Sequence, residues 1–333
     1  MSRVLRFASA ILATALVTQC ATGPIGQTKS PRAYRLAAMG YEPLALQKSA
    51  GDSRYSGRFR VNGKEVRFLI DSGANSTDLD YELATSVGIR PEKSVKVVSR
   101  GALGRPVTSQ VGLGALRAGH VTAAPFAFML APPTGRHTAT SRYDGQVGLD
   151  ALSGLAALID LKSGQLWIPG PRAGNARQGE ILALGRREGL GFDALRLESA
   201  GHLPHLLVSS RHNGRRLTWV VDTGAEVTVM ASETVRRIGI PTTPSRSKII
   251  DASGDRASVS TATLHDVVFG QLVVSEFQVA VTSLKTIRRT FRDRSGRPVD
   301  GIIGMDFLEE SSALLDTASK VLYIGDPPRS RLN

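Results

Sequence analysis

The chain has 333 residues, 41% of them hydrophobic and 5% aromatic, with 34 glycines and 16 prolines. That length suits about two domains, and a mix rich in glycine and proline but poor in aromatics favours short strands and turns over long helices. The single cysteine, Cys20, excludes an intramolecular disulfide and a cysteine-based metal site, and the net charge of +13 comes mainly from scattered arginines with one dense run at Arg288 to Arg297. No basic helix or aromatic-interleaved patch accompanies that run, so nucleic acid is not the expected partner.

The N-terminus carries Arg3 and Arg6, then an apolar run from Phe7 to Val17, then Thr18-Gln19-Cys20-Ala21. A positive start followed by an apolar stretch too short to span a bilayer is the pattern of a bacterial export signal. Residues 1–20 are therefore expected to send the chain to the periplasm. Cys20, directly after that stretch, resembles the acylated cysteine of bacterial lipoproteins and is the candidate lipid attachment point, although Gln19 stands where a small residue is usual. The alternative is an ordinary secretory signal cleaved nearby. Residues 21–40 read as a linker.

The rest of the chain is a repeat, and repeats decide how a fold is read. Phe68-Leu69-Ile70-Asp71-Ser72-Gly73-Ala74 matches Trp219-Val220-Val221-Asp222-Thr223-Gly224-Ala225 at an offset of 151 (222 − 71). The same offset pairs Asn62-Gly63 with Asn213-Gly214, a hairpin-turn dipeptide in both halves. Further on, Gly148-Leu149-Asp150 matches Gly304-Met305-Asp306, and Ile159-Asp160 matches Leu315-Asp316, both at offset 156 (304 − 148). The five extra residues lie between Phe277 and Gly304, where the run Arg288 to Pro298 reads as a longer surface loop. Two homologous lobes follow, residues 41–169 and 192–325, joined by residues 170–191 and ending in a short basic tail, 326–333.

Each lobe is mostly strand. Arg58 to Val66 turns at Asn62-Gly63 between alternating residues. Phe68-Leu69-Ile70 and Trp219-Val220-Val221 are continuous apolar runs suited to buried strands. Leu166-Trp167-Ile168 and Leu322-Tyr323-Ile324 close the lobes as further strands. One short helix per lobe is expected, at Tyr81 to Ser86 and Ser232 to Ile238.

A carboxylate at the end of a buried apolar strand is costly to desolvate. One Asp-[Ser/Thr]-Gly is weak, since it also suits a plain Asx turn. Two at aligned positions, each after three apolar residues and each followed by Ala, point to a face-to-face pair related by pseudo-twofold symmetry. Like charges a few ångström apart cannot both ionise, so such a pair shares one proton. Asp71 and Asp222 are thus the candidate catalytic residues, one as general base on a water and one as general acid. Gly73 and Gly224 supply tight turns, and the hydroxyls of Ser72 and Thr223 can bond across the lobe interface to hold the loops.

On these residues the lobes resemble the retropepsin-like aspartic proteases: an apolar-apolar-Asp-[Ser/Thr]-Gly-Ala signal is followed later by an apolar-apolar-Gly-x-Asp signal. The second signal is Ile302-Ile303-Gly304-Met305-Asp306 in one lobe and Gln146-Val147-Gly148-Leu149-Asp150 in the other, with Gln146 departing from the apolar pattern. The resemblance implies an all-β fold of two closed-barrel lobes, with Gly148, Asp150, Gly304 and Asp306 bracing the active-site loops rather than reacting. It also implies a flap hairpin between the two signals of each lobe, with Gly101, Gly104 and Gly254 as flap-tip candidates. Both lobes lie in one chain, so a monomer with a pseudo-dimeric site is expected, without cofactor or metal, acting on peptide or protein in the cell envelope. The rival readings are an envelope peptide-binding protein that has lost catalysis and a protease that pairs lobes between chains. The histidines His120, His137, His202, His205, His212 and His265 have no metal-ligand spacing, and surface or packing roles are expected for them.

Overall fold

The computed structural model describes residues 4–5, 30–131, 143–173 and 193–325. The export signal apart from residues 4–5, Cys20, the basic tail, residues 21–29 of the first proposed linker and 174–191 of the second lie outside the described residues, as does His137.

Strand formation follows the expected pattern. Tyr55–Val61 and Lys64–Ile70 form a hairpin across Asn62-Gly63, and Leu203–His212 and Arg215–Val221 form its counterpart across Asn213-Gly214. All four turn residues have positive φ, 48° and 86° in the first turn and 47° and 73° in the second. That is the two-residue turn whose twist matches paired strands, and Asn-Gly tolerates it best. Lys64–Ile70 then pairs in parallel with Gly145–Val147, and Arg215–Val221 with Gly301–Ile303. The barrels close where Arg60 and Val61 meet Arg117 and Leu116, and where Arg211 meets Val268.

Each lobe buries its own aromatic core. Phe68 packs edge-on against Phe59 at 5.7 Å, and its equivalent Trp219 packs edge-on against Phe277 at 5.6 Å. All four are at most 2% exposed, so their area is fully removed from water.

The lobes are not two separate barrels placed side by side. A six-stranded antiparallel sheet runs beneath both: Tyr41–Lys48, Gln165–Pro169 and Leu158–Asp160 from the first, then Leu314–Asp316, Val321–Ile324 and Asp193–Arg196 from the second. At its centre Ile159 faces Leu315, its own repeat partner, while Leu158 faces Asp316 and Asp160 faces Leu314. The pseudo-twofold axis passes through that pair.

The structure adds helices to the expected set. Tyr81–Ser86 and Ser232–Ile238 are helical as expected, and second helices follow the Gly-x-Asp signals at Leu149–Gly154 and Met305–Glu310. Those windows are only six residues long, too short to show a helical period against strand-like surroundings. The segment read as a surface loop holds a further helix, Lys285–Thr290, and a bridge between Arg292 and Pro298, with Phe291 and Val299 buried. Within the stretch read as a linker, Pro31–Ala38 is a helix capped by Ser30. It docks Ala33 and Leu36 on the shared sheet, and Arg32 makes a buried 3.0 Å ion pair with Asp160.

Candidate active site

Asp71 and Asp222 each follow the last residue of a buried strand and are fixed by the strand beside it. Asp71 N donates to Val147 O, and Asp222 N to Ile303 O, both at 3.0 Å. The chain then turns back on the carboxyl: Asp71 Oδ1 accepts from Gly73 N at 2.8 Å and Ala74 N at 3.1 Å, and Asp222 Oδ1 accepts from Gly224 N at 2.8 Å.

The turn brings each glycine against the opposite aspartate. A Cβ added to Gly73 would lie 2.3 Å from Asp222 Cγ, and one added to Gly224 would lie 2.4 Å from Asp71 Cγ. Those gaps are below any real contact, so only glycine lets the two loops approach this closely.

Ser72 and Thr223 lock the approach. Ser72 N donates to Thr223 Oγ1 at 2.9 Å and Thr223 N to Ser72 Oγ at 3.0 Å. Each hydroxyl donates onward, Ser72 Oγ to Val221 O at 2.9 Å and Thr223 Oγ1 to Ile70 O at 2.8 Å. Both side chains are buried, so every donor and acceptor in the ring is satisfied without water.

The later signals lie directly behind these loops. Gly148 N donates to Thr77 Oγ1 at 3.2 Å, and Thr77 donates to Asp150 through its hydroxyl at 2.7 Å and its backbone at 3.0 Å. The second lobe repeats this: Gly304 N to Thr228 Oγ1 at 3.1 Å, and Thr228 to Asp306 at 2.6 and 2.9 Å. Asp150 and Asp306 thus spend their oxygens on backbone and hydroxyl donors. Thr77 and Thr228 escaped the sequence reading. Their signal was there, two small hydroxyl residues at the common offset of 151, but on their own they look like ordinary turn residues.

Gly101 and Gly104 lie in the turn between Pro91–Arg100 and Pro106–Ala118, and Gly254 in the turn between Thr243–Ile250 and Arg256–Phe269. The two turns have one geometry, with Gly104 N donating to Gly101 O at 3.0 Å and Gly254 N to Asp251 O at 2.9 Å. The turns meet: Leu103 N donates to Asp251 Oδ2 at 2.8 Å, and Arg105 stands 3.7 Å from Asp255.

Two further residues reach across between the lobes. His205 Nε2 lies 2.9 Å from Gly73 O, and Arg54 Nη1 lies 3.5 Å from Gly224 O. They are repeat partners too, at offset 151, yet unlike in chemistry, and the sequence suggests for His205 only a surface or packing role.

The two carboxyls each lie against the glycine turn of the other lobe, close enough for their charges to interact, and burial pushes both up from the ordinary carboxylate range. Asp222 is raised by burial first and then by the negative charge of Asp71. Asp71 is raised by burial but held back by the Gly73 N–H, by Asp222 and by the Arg54 charge. A close pair of carboxyls that shares one proton can take a proton from one side of a bound molecule and give one to the other.

A family model for aspartyl proteases matches residues 58–151 and 208–307, so each matched stretch holds one Asp-[Ser/Thr]-Gly-Ala turn and one Gly-x-Asp signal. No curated protein sequence matches the chain. Among solved structures, basic 7S globulin from soybean aligns at 13% identity over 88% of this chain and 97% of its own, with a TM-score of 0.47. The aspartic proteinase from Irpex lacteus aligns at 14% identity over 88% of this chain and 99% of its own, with a TM-score of 0.49.

Proposed function

The chain belongs to the aspartyl protease family, and on that premise we propose that it is an endopeptidase whose Asp71 and Asp222 activate a water for attack on a peptide carbonyl. One observation carries the reading: two carboxyls, Asp71 buried and Asp222 partly buried, each against the glycine turn of the other, stand at equivalent points of two lobes locked by Ser72 and Thr223. Packing alone gives no reason to bury a second acid beside the first, since each raises the cost of ionising the other.

In the proposed reaction the ionised carboxylate takes a proton from the water as its oxygen bonds to the carbonyl carbon. The protonated partner gives its proton to the carbonyl oxygen. The resulting diol then collapses, the C–N bond breaks, and the nitrogen leaves with a proton returned from the dyad. The substrate is an extended peptide lying between the dyad and the two meeting turns, with strand-like backbone pairing. Both aspartates come from one chain, so the working unit is a monomer of two lobes, residues 41–169 and 192–325. The pattern of residues 1–20 supports export to the cell envelope, with Cys20 as the lipid anchor.

Protein lacking residues 1–20 should cleave members of a peptide library. Asp71→Asn and Asp222→Asn should each lower kcat/KM by about a thousandfold or more, within or beyond the range for losing an acid or base. Activity surviving either change would sink the dyad assignment. Peptide binding by the unsubstituted protein without cleavage would favour the binding-only reading. Light scattering of the same sample separates a monomer from pairing between chains.

A further inference from the structure

The two lobes share their loop geometry but surround it differently. In the first lobe Arg54 is held by Asp52 at 2.8 Å, Asp52 accepts from the Tyr143 hydroxyl at 2.8 Å, and Glu226 stands 3.6 Å from the guanidinium. The repeat partners of Asp52, Arg54 and Tyr143 are Leu203, His205 and Val299, at offsets 151, 151 and 156. An ion pair with a tyrosine hydroxyl in one lobe is matched by an apolar setting with one imidazole in the other. Asn75 stands where the repeat places Glu226.

His205 is neutral by construction. A carbonyl oxygen only accepts, so Nε2 carries the proton that points at Gly73 O. Nδ1 is buried with no partner among the described residues, and the Phe291 ring packs against the imidazole at 4.1 Å. A second proton would have to sit on Nδ1 with nothing to receive it. Burial accordingly pushes His205 down to about 4. Arg54 by contrast is cationic at every pH a protein survives.

We propose that Arg54 and His205 are positioning residues that make the two halves of the dyad unequal, so that Asp71 is the carboxylate that takes the proton from water and Asp222 is the acid that gives one to the carbonyl. The proposal rests on the aspartic endopeptidase reading and deepens it. Each of the two holds the glycine turn of the opposite lobe, and the turn that Arg54 holds, at Gly224, is the one that lies against Asp71. Only Arg54 brings a charge, and that charge favours the ionised form of Asp71. Asp222 has a neutral imidazole in the matching place, and the negative charge of Asp71 favours its protonated form.

Other charged groups bear on the balance. Asp52, held down to about 2 by its Arg54 and Tyr143 hydrogen bonds against burial, offsets part of the Arg54 field, as does Glu226. Asp78, whose Oδ1 accepts from Gln146 N at 3.1 Å, interacts with the Asp71 charge within the first lobe, and its repeat partner in the second is Val229. Burial pushes Asp78 up to about 7, so below that pH it is neutral and leaves the Arg54 preference standing. Above it, Asp78 would oppose the ionisation of Asp71, and the preference should weaken.

The test reads protons directly. In protein with 13C-labelled aspartate carboxyls, the dyad signals are assigned through Asp71→Asn and Asp222→Asn and followed against pH. The carboxyl that stays protonated at the higher pH should be Asp222. Equal sharing, or a proton on Asp71, overturns the proposal, whatever the protein cleaves. His205→Arg should lower the upper step of the dyad by about one pH unit, with the alkaline limb of kcat/KM moving with it. His205→Gln, which keeps a neutral donor to Gly73 O, should leave the step in place. A merely structural role would lower kcat in both variants and move neither step, and that result overturns the assignment. Should His205→Arg not fold, Arg54→Gln against Arg54→Lys asks the same question: the first should raise the Asp71 step and the second restore it. A normal dyad titration in a protein that cleaves nothing would instead defeat the endopeptidase reading alone.

Discussion

The two lobes agree in everything that shapes the loops and differ in what surrounds them. Hairpin turns and strand pairing recur in both lobes, and the hydrogen bonds of the threonine braces and the Ser72–Thr223 ring match to about 0.1 Å. Where Arg54 holds a turn with charge in one direction, His205 holds its counterpart without charge in the other. The comparison separates two requirements. Geometry must be symmetric, because each loop packs on the aspartate of the other. Electrostatics need not be, because a dyad with one proton is used asymmetrically.

The largest effect should come from breaking the symmetric part. Gly73→Ala puts a methyl 2.3 Å from Asp222 Cγ, and Gly224→Ala puts one 2.4 Å from Asp71 Cγ. Backbone sets both positions, so neither methyl can swing away, and the loops must part. We expect each variant to lose activity by about a thousandfold, as for loss of the acid or base itself, with a lower Tm. Steady-state kinetics and thermal melts check this, and a large difference between the two would mean that the loops are not equivalent.

A smaller effect is expected at the ring. Thr223→Ala removes the acceptor of Ser72 N and the donor to Ile70 O in one step, leaving buried backbone groups unpaired. Each such group costs about 1–3 kcal/mol. Ser72→Ala should cost about as much, since it breaks the mirror set. Thr223→Ser keeps the hydroxyl and should cost less than about 1 kcal/mol. Denaturant melts of the three variants decide it, and a Thr223→Ala protein as stable as its parent would remove the ring from the account of how the lobes are held.

What the sequence made legible follows the same divide. The dyad turns, the Gly-x-Asp signals, the Asn-Gly hairpins and the helices at Tyr81 and Ser232 could be read because each is local and occurs twice. The helices at Leu149 and Met305 also occur twice, but their short apolar stretches carry no period distinct from strand. The helix Pro31–Ala38 was read as linker because its reason to form lies far away, in a sheet assembled from both ends of the chain and in the partner of Arg32 at Asp160. His205 was passed over for the same reason. Its partner is the Gly73 carbonyl, 132 residues distant, and a lone histidine beside Leu203-Pro204 announces no role. Aligning the halves does place it opposite Arg54, so the signal lay in a difference between repeats rather than in a motif.

The smallest effect should lie at the meeting turns, where matching positions carry opposite charges in direct apposition. Arg105 and Asp255 occupy matching places in the two turns and stand 3.7 Å apart, with side chains 62% and 37% exposed. A pair so open to water is worth less than about 1 kcal/mol. Arg105→Asp sets two like charges there and should raise KM by less than about fivefold at low salt, by weakening the closed arrangement over substrate. The rise should fade above about 0.5 M salt as screening shortens the reach of the charges. Asp255→Arg alone should behave alike. Combining the two restores opposite charges in reverse order and should restore KM. If the double substitution is worse than either single one, the effect comes from damaged turns and not from the charges between them, and the Leu103–Asp251 hydrogen bond is then the contact that joins the tips.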